Sequence, residues 1–175
     1  YIHHSRYQQE KDIYDNVIRL ETDNFTALYF RAFANQQLFH FGLARADYNN
    51  ILKTHPDNYH ALMGRAQLNQ SDNRHTEALD DANLLVEIYP DSINAWLIRA
   101  EIEEKQKLIP LAEFDYQQAY TLNTANKKYL LKAVELKLKQ NKKEVAKRIL
   151  DNLVKQGTPK NALLYYYKKI NLRNP

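Results

Sequence analysis

Three arginines and three aspartates carry the most regular chemistry in this sequence. Arg31, Arg65 and Arg99 are each followed sixteen residues later by an acid, namely Asp47, Asp81 and Asp115. A guanidinium and a carboxylate match as a bidentate pair, so the pattern has two readings: a ladder of cations offered to an anionic ligand, or ion pairs closed within the scaffold. The second is preferred, because each arginine lies among core-facing positions and a buried charge has to be paired. At the fourth equivalent place the two residues are Ala133 and Ile149, so both partners disappear together. Other chemistry is sparse. There is no cysteine to ligate a metal or attack a substrate, and His3-His4 is the only close pair among six histidines. Adjacent helical residues point about 100° apart and seldom share a metal, so no metal site is expected. Glu101, Glu103 and Glu104 read as a solvated acidic face. No glycine-rich phosphate loop, HExxH helix, nucleophile elbow or calcium loop occurs, and the chain has only three glycines with which to build one. The expectation is a protein without catalytic residues or cofactor.

The elements that position these residues are helices. A chain of 175 residues with 44% hydrophobic content can bury a core, and three glycines and five prolines leave little turn chemistry for hairpins. No apolar run approaches the roughly 20 residues that span a bilayer. The absence of cysteine fits a cytoplasmic or a periplasmic setting equally and leaves localisation unassigned. Charge is unevenly spread. Residues 1–124 hold 11 Lys/Arg against 18 Asp/Glu, a net of −7, whereas residues 125–175 hold 14 against 3, a net of +11.

An internal period of 34 residues runs through most of the chain without insertion. Ala27-Leu28, Ala61-Leu62 and Ala95-Trp96 recur with it, as do Arg31-Ala32, Arg65-Ala66 and Arg99-Ala100, and then Ala44, Ala78, Ala112 and Ala146. Asn24, Asn58, Ser92 and Asn126 each precede an apolar stripe as N-caps, and Pro56 and Pro90 stop the helix before. Small alanines on consecutive helices let antiparallel neighbours approach closely. The reading places first (A) helices over 25–37, 59–70, 93–106 and 127–140, and second (B) helices over 41–54, 75–88, 109–122 and 142–155. Residues 6–20 read as the B helix of a unit whose A helix is mostly missing. Gly157 reads as a C-cap, Thr158-Pro159 as a helix start, and 160–172 as a single capping helix.

At these residues the chain resembles the tetratricopeptide repeat family: Ala-Leu-x-x-Arg-Ala, then Ala-x-x-Asp-Tyr as in Ala44–Tyr48 and Ala112–Tyr116, then Pro-Asp-Asn or Pro-Asp-Ser. The departures are Phe39-His40-Phe41 and Asn73-Arg74-His75 where the family usually has Gly-Asp-Tyr, and a fourth unit with neither Pro nor Arg. The resemblance implies an all-α, right-handed α-α superhelix of antiparallel helix pairs: a single solenoid over 1–175, with a partial repeat at 1–23, full repeats at 24–57, 58–91 and 92–125, a degenerate repeat at 126–158 and a capping helix at 159–175.

It also implies a concave groove lined by the A helices, where such scaffolds hold a peptide or a partner's helix. Tyr29, Phe33, Met63, Gln67, Leu97 and Glu101 are the groove candidates, with Tyr29, Phe33 and Met63 as an apolar anchor site. The alternative is that these rings merely pack between A helices. The family's clamp for a chaperone's C-terminal carboxylate is absent, since Tyr29, Phe33, Met63, Asn94 and Ile98 stand at its positions. A second class of function rests on the basic end, where Lys128, Lys132, Lys139, Lys143 and Lys147, with Arg173 and Tyr165 to Tyr167 beyond, offer a surface for nucleic acid or another anionic partner. Lysines at nearly every angle of the helices favour instead a solvated end or a face for an acidic protein. Self-association of the acidic and basic halves is a further expectation.

Overall fold

The computed structural model describes residues 2–171, with side chains from residue 4 onward; Arg173 and the side chain of His3 lie outside the described part. The chain is a row of helices: α1 (Ile2–Leu20), α2 (Phe25–Gln37), α3 (Phe41–Thr54), α4 (Tyr59–Ser71), α5 (His75–Ile88), α6 (Ile93–Lys105), α7 (Ile109–Leu122), α8 (Lys127–Lys139), α9 (Lys143–Lys155) and α10 (Leu164–Asn171). No strand occurs among the described residues. α1 begins at Ile2, four residues ahead of the start expected from the repeat.

The caps explain the punctuation. Asn24 and Asn58 accept the amides of Ala27 and Ala61, each at 2.9 Å, and Ser92 accepts that of Ala95 at 3.3 Å. In the least regular unit Asn126 reaches the amide only two residues on, Lys128, at 3.2 Å. The helices α3, α5, α7 and α9 have no side-chain N-cap. The turn before each is closed by a residue with positive φ, Phe39, Asn73, Lys107 or Asn141. The amide of the next residue then reaches back to the carbonyl of Asn35, Asn69, Glu103 or Lys137, at 2.8 to 2.9 Å. This is the Schellman closure, and a left-handed residue is what it requires. The family's customary glycine is thus replaced by residues that adopt the same backbone.

Each A helix packs against the B helix that follows, and the A helices also meet one another, α2 on α4 and α4 on α6. No comparable row of contacts joins α3, α5 and α7 among the described residues. A row that touches on one side and spreads on the other is curved, so the A helices line its inner face. The repeated alanines Ala32, Ala66, Ala100, Ala44, Ala78 and Ala112 have no exposed surface; the close helix approach depends on them.

The end of the chain departs from the single helix expected over 160–172. Lys160–Leu163 is a 3-10 turn, and α10 starts only at Leu164. Gly157, at φ +91°, ends α9, and Pro159 sets a tight i to i+3 turn in which the Ala162 amide donates to the Pro159 carbonyl at 3.0 Å. The tighter winding drives Leu163 into the cluster of Leu150 and Leu153, and this buried contact outweighs the poorer hydrogen-bond geometry of a 3-10 turn.

Candidate functional site

The arginines close two ways at once. Arg31 donates to both oxygens of Asp47 at 2.9 and 2.6 Å, Arg65 to both of Asp81 at the same distances, and Arg99 to both of Asp115 at 2.7 and 2.9 Å. The third donor of each guanidinium turns to the preceding repeat, to Asp15 at 2.9 Å, Asn49 at 2.7 Å and Asn83 at 3.1 Å. Each arginine therefore rivets two helix pairs together. The pairing with Asp47 raises the pKa of Arg31, and that with Asp115 raises the pKa of Arg99. With these donors spoken for, the ladder offers no free cation to an anion. Asp15, Asn49 and Asn83, spaced by the same 34 residues, were not singled out from the sequence.

A second internal register is Asn35, Asn69, Glu103 and Lys137, all buried. Asn69 donates to Asp81 at 3.2 Å and accepts from Arg45 at 3.1 Å. Lys137 pairs with Glu113. Glu103 has neither solution. The place held by Arg45 one repeat earlier is Leu79 on α5, and Oε2 of Glu103 has no hydrogen-bond partner. Glu103 is only 4% exposed, which corrects its reading as part of a solvated acidic face; Glu101 alone of the three is exposed. Burial, reinforced by the charge of Asp115 and opposed by Arg99, pushes its carboxyl up to about 8. The protonated acid can donate to Asp115 as Asn69 donates to Asp81. An acid whose pKa is higher folded than unfolded binds more protons when folded, so stability is greatest below the unfolded value and falls as pH rises to about 8. Glu103→Gln supplies a permanent donor. Thermal melts between about pH 5 and 9 should show the wild-type melting temperature falling relative to that of the variant, and parallel curves would refute the assignment.

The groove side is aromatic at one end. Phe25, Thr26, Tyr29, Phe30, Ile51, Asn58 and His60 enclose an open hollow of about 290 Å³ between α2 and α4. Tyr29 forms its floor, edge-on to Phe30 and His60 at ring distances of 5.3 and 5.7 Å, and 6.0 Å from the buried Tyr48. Phe30 stacks on Tyr14 at 5.5 Å and stays exposed. Phe33 is also exposed and meets Tyr7 edge-on at 6.0 Å, away from the hollow's lining. Met63 packs half-buried against the main core, and Leu97 against the cluster around Ala100 and Tyr116. Gln67 and Glu101 are exposed. Of the six groove candidates, then, only Tyr29 lines the aromatic hollow. Phe30 was missed because it lies one residue off the chosen stripe, where Gly64 and Ile98 stand in the next two repeats.

Further along, Glu101, Glu104, Tyr116, Lys132 and Lys139 border a wider hollow of about 580 Å³. Burial opposes ionisation of Glu104, but Lys139 at 2.7 Å, with Lys132 beside it, holds its carboxyl below the usual range. The basic candidates do not form one surface. Lys132 and Lys139 face Glu104, Lys143 is half-buried, and Lys128 and Lys147 are exposed. Lys137, part of the same run, is 9% exposed. Among the described residues no group of His, Asp and Glu could hold a metal ion, and no helix is long and apolar enough to cross a membrane.

Comparison with known proteins agrees with this geometry. The sequence profile of the tetratricopeptide repeat family matches residues 37–93. A tetratricopeptide repeat protein from Parabacteroides merdae superposes with a TM-score of 0.72 at 19% identity, covering 91% of this chain and 62% of its own, so the chain spans under two thirds of that protein. PilF of Pseudomonas aeruginosa gives 0.71 at 17% identity, covering 91% and 72% of the two chains. A thermophilic tetratricopeptide repeat protein of Thermus thermophilus gives 0.64 at 15% identity, covering 96% and 92%. No curated protein matches the chain in sequence. Residues 37–93 thus match the tetratricopeptide repeat family, and the described residues fold as the all-α solenoid of these structures.

Proposed function

We propose that this protein is a non-catalytic scaffold whose A-helix groove binds a peptide or a partner's helix by one bulky apolar side chain. The observation that supports the reading is the open aromatic hollow of about 290 Å³ between α2 and α4, of a size for one large side chain, with the half-buried Asn58 and the exposed His60 at its rim as polar guides. The tetratricopeptide repeat match over residues 37–93 and the solenoid fold support protein binding in general; the hollow is what makes the anchor apolar.

Peptides selected from a displayed library against the chain should carry an aromatic or long aliphatic residue. Phe30→Ala removes one wall of the hollow without opening the core, and it should weaken such peptides at least about tenfold by fluorescence anisotropy with an unchanged helical circular dichroism spectrum. Equal affinity for the variant would place binding elsewhere. The alternative, an anionic partner such as nucleic acid on region 127–173, draws support from Lys128 and Lys147. It is weakened by the carboxylate partners of Lys132, Lys137 and Lys139. A labelled oligonucleotide bound with a steep salt dependence would favour it.

A further inference from the structure

The outer face of α7 carries an apolar stripe that neither the fold nor the groove uses. Leu111, Phe114 and Leu122 lie on one side of this helix and are 53%, 52% and 40% exposed. Phe114 lies at its centre; among the described residues its one ring contact is an edge against Trp96 at 6.3 Å. A run of large exposed side chains on one helix face is uncommon in a monomer and marks an interaction surface.

The charges on either side identify the occupant. Because α5, α7 and α9 are equivalent B helices, residues 34 apart face the same way. Phe114 is flanked in this register by Asp80 on α5 and Arg148 on α9, and Thr121, two turns on, by Glu87 and Lys155. All four charged residues are exposed, and no ion pair within the described residues engages them. The stripe thus has an acidic border on one side and a basic border on the other, matched level by level.

We propose that this face pairs with the same face of a second copy, about a two-fold axis running parallel to α7. That axis lays Phe114 against its own counterpart and exchanges the borders, so that the acidic α5 of each copy faces the basic α9 of the other. A two-fold axis across the helices would set α5 against α5 and α9 against α9, bringing like charges together, and it is disfavoured for that reason. The contact is isologous, so each charge pair forms twice. It leaves the A-helix groove open on both copies, so the dimer presents two grooves facing away from each other and stands independently of what they bind.

Sedimentation equilibrium of the chain tests this, with circular dichroism showing that each variant is folded; all the substitutions are on exposed positions. The wild type should dimerise at or below about 100 μM, where a pair with a micromolar Kd is formed. Phe114→Glu should sediment as a monomer. Asp80→Arg and Arg148→Asp should each weaken the dimer at least about tenfold by placing like charges opposite each other, and the double exchange in one chain should restore it. A wild type that stays monomeric, a dimer indifferent to Phe114→Glu, or an Asp80→Arg variant that associates as well as or better than wild type would overturn the proposal.

Discussion

Asp81→Ala is expected to lower the unfolding free energy by about 3 kcal/mol, and Asp115→Ala by distinctly less, although the two aspartates hold equivalent places. Asp81 takes both donors of Arg65 at 2.9 and 2.6 Å and the amide of Asn69 at 3.2 Å, and it is 5% exposed. Removing it strands a largely buried guanidinium with only Asn49 for company and leaves the buried Asn69 amide unmatched. A lost partner of this kind leaves the full desolvation cost behind. One repeat later the arrangement differs. Glu103 lies 3.9 Å from Arg99, and its carboxyl is held neutral chiefly by burial and by the charge of Asp115. With Asp115 gone that charge is gone too, and Glu103 can ionise and take over the arginine. Urea unfolding of the two variants at neutral pH measures the difference. Equal losses would mean that Glu103 does not substitute, and an unchanged midpoint for Asp81→Ala would mean that the rivets do not hold the stack.

The comparison also shows which features a sequence of this kind discloses. Helix positions were open to reading because caps and alanines recur at a fixed period, and a residue that must terminate or permit close packing keeps its chemical type from unit to unit. Arg31, Arg65 and Arg99 were visible for the same reason. The register of Asn35, Asn69, Glu103 and Lys137 has the same period but is harder to see, because its chemistry changes from the third repeat onward: amide, amide, acid, base. Two of its members are matched to a partner on the preceding B helix, so the identity that matters there belongs to a pair of positions 24 residues apart, Arg45 with Asn69 and Glu113 with Lys137. Pairs that invert charge between repeats leave no repeated letter. The aromatic hollow was hidden for a related reason. Phe30 occupies a position at which the next repeat has Gly64 and the one after has Ile98, so the repeat implies nothing about the size of that side chain; the residue facing it decides.

That facing residue supplies the second large prediction. The B-helix position sixteen residues before this site is Tyr14, Tyr48 and Ala82 in successive repeats, opposite Phe30, Gly64 and Ile98. Tyr14 and Phe30 stack at the open end, where both rings have room. Inside the stack there is room for one large group only. Tyr48 is fully buried, and a Cβ added to Gly64 would fall 2.5 to 2.6 Å from its ring atoms. In the next repeat Ala82 makes way for Ile98. Tyr48→Ala should therefore cost about 3–5 kcal/mol as a cavity, and Gly64→Ile, forced against a ring that cannot move, should be destabilising to a similar degree. Together they rebuild the Ala82–Ile98 pair one repeat earlier, so the double variant should be more stable than either single one, with a favourable coupling of at least about 2 kcal/mol in a double-mutant cycle of unfolding free energies. Additive losses would mean that the two positions do not compete for the same space. Because Tyr48 also backs Tyr29, the floor of the aromatic hollow, the double variant regains the fold with a softer floor. Peptides anchored there should bind it more weakly than wild type even after stability is recovered, so folding and recognition separate at a single buried ring.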